Sequence, residues 1–527
     1  MSMKVKCRLR VSHKFLLSTL FAVVLFTACF VSAFSAVSPF VYGSSDKVVS
    51  DEVELRNVIK TAAGATVIAL SKDISLTESI DISAGKRITL TSAGGTKFFK
   101  LIGACDQTTV NVENRGLLTI DGIIVTHDSG EEGNGVIVDY GGVLVLHSGE
   151  ISGNTAYVGA GVHVSGTFNM SGGKISGNTA DTGAGVGVVG NFSMSGGEIS
   201  NNTNTNWGGG GVYLYQYGTF NLSGGTISGN TITRGGGGGV CNFHGIFSMS
   251  GGEISGNKAI LGDPYTSGCG GGVANYGGRF FMSGGVISGN TAYRCGGGVY
   301  NNDGSVFFMS GGVISGNDAT DDGGGVYIYA DGDRVDYVLS GGEISHNSAV
   351  KGGGVYYESV FNPYISYQCF EMAGGVIYGN TAFQNGGGVY VRRDGAFSMS
   401  GGEISGNSAA FSGGGVWIDV NNLDNLSIAD GVMFSNNRAS AAYNRDPVHD
   451  ELYRTRIGDM VSWSSPFTQG YNNYDISYTS GTLIPDAELS NNGSRWLNIL
   501  GFIVVLVLIA GTITTTCLVF FQKRRKK

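Results

Sequence analysis

Proline is nearly missing from this chain, with 6 in 527 residues, and charged side chains make up only 14%. So little proline beside 90 glycines, with no three-residue period, excludes collagen. The 7 histidines are scattered and offer no zinc spacing, so no metal site is expected. No Ser/His/Asp grouping can be drawn either. No glycine run leads into a helix carrying a Lys, which argues against a phosphate-cradling loop. Of 8 cysteines, Cys7 and Cys29 lie in the first 36 residues and Cys517 in the apolar run near the C-terminus, leaving Cys105, Cys241, Cys269, Cys295 and Cys369. That odd, sparse set is not a disulfide scaffold.

The two ends are the most apolar parts. Residues 1–36 join a basic stretch (Lys4, Lys6, Arg8, Arg10, Lys14) to an apolar run from Phe15 to Phe34, followed by small residues, and predict a secretory signal peptide. The run 499–521, ILGFIVVLVLIAGTITTTCLVFF, reaches about 35 Å as a helix, enough to span a bilayer. The basic tail 522–527 then belongs on the cytoplasmic side, with Trp496 at the outer interface. Setting aside the ten cations of the two ends leaves 23 cations against 41 anions, a net of −18. Such a surface repels nucleic acid, and none is expected as a partner.

Between the ends one phrase recurs, as in CGGGVYNNDGSVFFMSGGVISGN at 295–317. Aligned on its last residue it marks Asn154, Asn178, Asn202, Asn230, Asn257, Asn290, Asn317, Asn347, Asn380, Asn407 and Asn436. A fixed phrase at this period means stacked units, none able to bury its apolar side alone. Each unit holds three short apolar words, such as GVYN, FFM and VIS, too short for helices and alternating with period two. Three strands and three corners make one coil of a parallel β-helix, with neighbouring coils about 4.8 Å apart.

In-register columns agree. Phe168, Phe192, Phe220, Phe247, Phe280, Phe307, Tyr337, Phe370 and Phe397 form one inward row, and Met170 to Met399 and Ile151 to Ile404 form two more. The residue before each Ile (Glu150, Lys174, Glu198, Thr226, Glu253, Val286, Val313, Glu343, Val376, Glu403, Val432) never stacks two Glu, which suits a structural column. The terminal Asn is expected at a corner in left-handed geometry, bonding to the coils above and below. The Gly run before each Val is expected at another corner with positive φ. Cys269 and Cys295 each precede a GGGV word in consecutive coils. Stacked Cα atoms about 4.8 Å apart fall inside the window for a disulfide, and one is expected there.

The GGGV and SGGxISGN words, over about residues 50–437, resemble the repeats of polymorphic outer-membrane proteins and adhesin-like surface proteins of the pectin-lyase-like, right-handed β-helix superfamily. The resemblance stops short of a translocator barrel or an LPxTG-type sorting motif, so attachment by the terminal helix is expected. It specifies fold well and activity poorly. Members of that superfamily cut acidic polysaccharides with carboxylates, Lys or Arg on the outer face of one sheet. Here one outward column ends in Glu358, Arg392 and Asp419, with the acids about 9.6 Å apart. Inverting glycosidases hold their carboxyls at about 6.5–9.5 Å, but an exposed ladder of alternating charge explains the same residues. Asp318, Asp321 and Asp322 lack a defensible Ca²⁺ spacing. A second outward column, Tyr300, Tyr327, Tyr356, Tyr390 and Trp417, with Tyr329 and Tyr357 beside it, reads either as a self-stacking ladder or as a flat strip for sugar rings or a partner surface.

The expectation is an all-β, right-handed parallel β-helix of about twelve three-strand coils, with an N-terminal helical cap and a C-terminal transmembrane helix. The segments are a signal peptide (1–36), an N-terminal segment (37–65) with a capping helix over 50–64 N-capped by Ser50, repeats (66–437), a cap and stalk (438–495), a membrane helix (496–521) and a basic tail (522–527). The role expected is that of a membrane-anchored surface protein, adhesin-like, binding glycans or other cell surfaces through Tyr300, Tyr327, Tyr329, Tyr356, Tyr390 and Trp417, without a cofactor. The alternative is a surface polysaccharide lyase or glycoside hydrolase using Glu358, Arg392 and Asp419.

Overall fold

In a computed structural model of the chain, the described residues are 47–439, apart from 96, 261–267, 303, 331–335, 360–368, 394 and 419–424, with short segments at 461–463, 471–472, 475–477 and 483–485. The segments read as signal peptide, membrane helix and basic tail lie outside them, as does Asp419. Among the described residues no helix is long and apolar enough to cross a membrane.

The chain from Lys47 onward winds into a parallel β-helix of about twelve turns. One turn runs through four strands: Val299–Asn302, Val306–Met309, Val313–Ser315 and Asp318–Ala319. Each pairs in parallel with its equivalent one turn on, as in Val299↔Val326, Phe307↔Tyr337, Ile314↔Ile344 and Asp318↔Ser348. The sheets have 27, 14 and 11 strands, the largest holding two strands from each turn. Three strands per coil was therefore one too few. The fourth follows the Asn, is four residues long in the first two turns that carry it (Thr155–Val158, Thr179–Thr182) and two in the rest, as at Thr291–Ala292, and builds the 11-stranded wall.

The inward rows fill the tube. The Phe and Ile rows are buried, and successive rings stack nearly parallel, with Phe192 and Phe220 4.6 Å apart at 4° and Phe247 and Phe280 4.7 Å apart at 7°. Burying one such ring contributes about 2–3 kcal/mol, and like sizes in register leave no void to subtract from it.

The asparagines form a buried polar ladder. Asn290 Nδ2 donates to Asn317 Oδ1 at 2.9 Å and to the Ile254 carbonyl at 2.9 Å, while its Oδ1 accepts from the backbone N–H and Nδ2 of Asn257. The left-handed residue is the one before the Asn, usually Gly (Gly316, φ 62°), and at three turns Asn201, His346 or Asn436. Asn436 was thus aligned one place early. Asn437 continues the ladder and Met433, not Val432, pairs with Glu403, because the last turn is out of step by one residue. The longer run 235–239 has two glycines of positive φ, Gly235 and Gly237, whereas in the three-glycine runs only the first has it (Gly296, 65°). The second and third are demanded by close approach: a Cβ on Gly297 would lie 2.6 Å from the carbonyl oxygens of Asp318 and Gly324.

Near the start, Lys47–Val49 pairs with Ala65–Leu70, and a helix spans Glu52–Thr61 between them. Its N-cap is Asp51, whose side chain accepts from the Glu54 N–H. Ser50 instead donates to the Glu54 carboxylate, completing a reciprocal cap one residue later than expected. Leu55 and Ile59 are its buried face. A separate small unit, within 459–473 and 480–527, contains an antiparallel three-stranded sheet of Val461–Trp463, Tyr471–Asn472 and Leu483–Pro485.

Candidate functional site

Alternation along the strands of the 14-stranded sheet decides which residues face out. Val299 and Asn301 are wholly buried, while Tyr300 and Asn302 between and beyond them are half-buried. One turn at a time, Tyr300 pairs with Tyr327, Tyr356, Tyr390 and Trp417, so the expected outward column exists. Its rings stack face to face with centroids 5.4, 4.8, 5.0 and 4.3 Å apart and planes within 19°. The strand spacing of about 4.8 Å is also an aromatic stacking distance, so register alone builds the stack. Tyr356 is wholly buried and Trp417 keeps 8% of its surface. Stacked and largely covered, the column presents no open ring faces, and Tyr300 is its most exposed member.

Tyr329 is half-buried against the same cluster. Tyr357 lies on the opposite face: it pairs with Ile328 and Val391, is fully buried, and meets Tyr337 edge-on at 6.4 Å inside the tube. It does not stand beside the column.

The charged column is also in register, Tyr329 pairing with Glu358 and Glu358 with Arg392. Glu358 is not an exposed rung. It keeps 4% of its surface, and Arg392 Nη1 lies 3.3 Å from its Oε2. The Tyr356 hydroxyl donates to the same oxygen at 3.2 Å, and Arg392 Nη1 donates to that hydroxyl at 3.1 Å. The Tyr356 hydroxyl, first among its neighbours, holds the guanidinium firmly protonated. Burial pushes the Tyr327 and Tyr356 phenols far above their usual range, so both stay neutral donors.

A third column, of which the sequence predicts only the Cys269–Cys295 step, runs along the corner before the Gly words. Backbone bridges link Gly236 to Cys269, Cys295 to Asp322, and Asp322 to Lys351. The sulfurs of Cys269 and Cys295 stand 3.2 Å apart as two buried thiols. The register is the one expected, without the covalent bond. Lys351 Nζ lies 5.9 Å over the Tyr390 ring. The Asp322 carboxyl is pushed up to about 6, first by burial, with Lys351 and Arg392 drawing it down and Asp321 and Glu358 raising it. Three acids (Asp321, Asp322, Glu358), two cations (Lys351, Arg392) and two phenols (Tyr327, Tyr356) thus share one electrostatic neighbourhood on the outer wall. The signal for it was the residue before each GGGV: Cys269, Cys295, Asp322, Lys351.

The three aspartates weighed for Ca²⁺ diverge. Asp318 accepts from the Ser348 hydroxyl, Asp321 pairs with Arg294 at 3.6 Å, and Asp322 belongs to the corner column. Among the described residues no group of three His, Cys, Asp or Glu is placed to hold a metal ion. A second buried ladder, Asn242 to Asn275 to Asn301, also escaped the sequence reading, though VCN, VAN and VYN signal it. Compared with known proteins, the chain matches no family model, no curated protein and no solved structure.

Proposed function

We propose that this is a membrane-anchored cell-surface protein whose β-helix presents a rigid binding wall to glycans or to another surface, an adhesin-like role. Export rests on residues 1–36 and anchoring on 499–521, with the basic tail inside. The helix Glu52–Thr61 serves as the lid that protects the first turn from edge-to-edge pairing. The resemblance of the repeats to adhesin-like, pectin-lyase-like proteins supports the same reading.

The observation that carries it is the outer wall from Tyr300 to Trp417. Stacking fixes its side chains, and the Tyr356, Glu358 and Arg392 polar atoms lie within 3.3 Å of one another. Pre-ordered polar groups on a rigid sheet lose little entropy on binding. The experiment is a glycan-array and cell-binding comparison of full-length protein with an Arg392→Ala variant. Selective capture of one glycan class, weakened by the variant, supports the role; absence of any ligand for the wild type leaves a passive envelope component instead.

A second reading, a surface polysaccharide lyase or hydrolase, is favoured by one observation. The Asp322 carboxyl, pushed up to about 6 within the influence of Glu358 and Arg392, suits acid–base work near neutrality. Glu358, Arg392 and Asp419 remain its candidate residues. Cleavage of uronate-containing or neutral polysaccharides by the wild type, lost in Glu358→Gln, would establish it.

A further inference from the structure

Cys269 and Cys295 stand apart from the other extramembrane cysteines. Cys241 is buried in the aromatic column with Tyr213 and Ala274 as its strand partners, Cys105 is exposed, and Cys369 opens a strand opposite Asp336 and Ala396. Among the described residues only Cys269 and Cys295 bring two sulfurs together, at 3.2 Å, with 4% and 9% of their surfaces exposed. The Gly270 N–H donates to the Cys295 carbonyl at 2.9 Å, which ties the two corners together at the backbone. Stacked strands hold Cα atoms about 4.8 Å apart, within the range a disulfide tolerates, so the sulfurs need only close to about 2.05 Å.

We propose that Cys269 and Cys295 form a reversible thiol–disulfide exchange site, with Cys269 the attacking sulfur, Cys295 the resolving sulfur, and small disulfides of the glutathione class as the oxidant. The Cys269 thiolate attacks one sulfur of the oxidant; that S–S bond breaks and one thiolate leaves, taking up a proton. Cys295 then loses its proton, attacks the Cys269 sulfur of the mixed disulfide, and expels the second thiol. Two protein thiols are oxidised and one small disulfide is reduced to two thiols, so electrons and protons balance.

The roles follow from the surroundings. The hydrogen-bond contact between the two sulfurs draws the Cys269 thiol below its usual range, with burial opposing and Arg294 assisting. The same contact drives Cys295 well above its usual range. A thiolate-prone sulfur beside a protonated partner is the asymmetry an exchange pair requires. Oxidation would link consecutive turns beside Tyr300, which packs on the same cluster, and close a loop of 26 residues.

The test uses the full-length protein, reduced and then equilibrated in glutathione buffers of graded oxidised-to-reduced ratio, quenched, alkylated and mapped by mass. The expected result is that the Cys269 and Cys295 peptides pass together from alkylated to linked in one transition, and return when the ratio is reversed. With Cys295→Ser, a glutathione adduct should accumulate on Cys269; with Cys269→Ser, Cys295 should carry about tenfold less. Two thiols still alkylated at the most oxidising ratio, or a link that no reduced buffer reopens, overturns the site from the wild type alone. Equal adducts in the two variants overturn the assignment of roles.

Discussion

Asn437 donates through Nδ2 to Asp475 Oδ1 at 2.8 Å, where each asparagine before it donates to another asparagine. The ladder therefore ends on a carboxylate. At its other end Asn154 Oδ1 faces His127 Nδ1 at 2.8 Å, and His127 Nε2 faces the Gln107 carbonyl at 2.8 Å. Every amide dipole points the same way, with its Nδ2 toward the C-terminal turns, so the acid sits at the positive end and the imidazole at the negative end. Helix termini are complemented by charge in the same sense.

Asp475→Ala leaves the Asn437 amide short of one acceptor in a buried site, and should cost about 1–3 kcal/mol in denaturant unfolding. Asp475→Asn keeps an acceptor of the same shape and should cost less. Equal losses for the two variants would count against the charge complement.

In mid-ladder, Asn290→Asp separates shape from polarity. Asn290 Nδ2 donates to two oxygens, Ile254 O and Asn317 Oδ1, each at 2.9 Å. A carboxylate there faces both with no hydrogen to give, so at neutral pH the loss should reach about 3 kcal/mol or more. Protonation restores one donor. The folded state then binds that proton more tightly than the unfolded chain does, and stability should recover as pH falls. A variant equally unstable at both ends of the pH range would contradict this.

Two glycines of one turn should respond differently to alanine. A Cβ on Gly316 meets nothing within 4 Å, and only its φ of 62° opposes it, which predicts about 1–2 kcal/mol. A Cβ on Gly298 would lie 2.6 Å from the Gly325 carbonyl oxygen and 2.8 Å from the Ile314 side chain. Gly298→Ala should therefore be the more damaging, by several kcal/mol, on the order of other overpacked cores. Thermal melts of the two variants rank them directly.

The inward Phe, Met and Ile columns were legible because burial forces one residue type into one register, turn after turn. The fourth strand was not, because Thr291-Ala292 is two residues long and carries no period. The last turn slipped by one because SNN at 435–437 offers two asparagines, and only burial tells Asn437 from Asn436. Inside and outside were assigned correctly for Tyr356 but not for its neighbour Tyr357, since adjacent tyrosines give alternation nothing to read. Beyond its Cys269–Cys295 step, the corner column stayed hidden for a different reason. Cys295, Asp322 and Lys351 share a place but no chemistry, so no composition signal joins them, and only the stacking does.

Arg392→Ala should cost about 2 kcal/mol. Its partner Glu358 is almost wholly buried, and breaking a buried pair from one side leaves a desolvated charge. The Arg392 side chain is itself 42% exposed, which keeps the loss below that of a fully buried pair. Adding Glu358→Gln should recover part of the loss, because a neutral amide no longer needs the cation. A double variant less stable than Arg392→Ala alone would rule out this account.

Asp322 sets the direction of the pH response at the outer wall. Its carboxyl stands at about 6 in the folded protein against an ordinary 3.8, first because burial disfavours the charged form. The folded state thus holds this proton more tightly than the unfolded chain. The contribution is neutral below pH about 4, turns destabilising as pH rises through about 4 to 6, and is constant above that. Its ceiling is about 3 kcal/mol, reduced by the water that still reaches the carboxyl. Asp322→Asn removes the titration while keeping a polar group over Cys295. The variant should match the wild type near pH 4 and gain on it toward pH 7, read from urea midpoints at each pH. A variant that loses stability relative to the wild type as pH rises would mean that Lys351 and Arg392 outweigh burial, and that Asp322 is an ion-pair partner rather than a proton carrier.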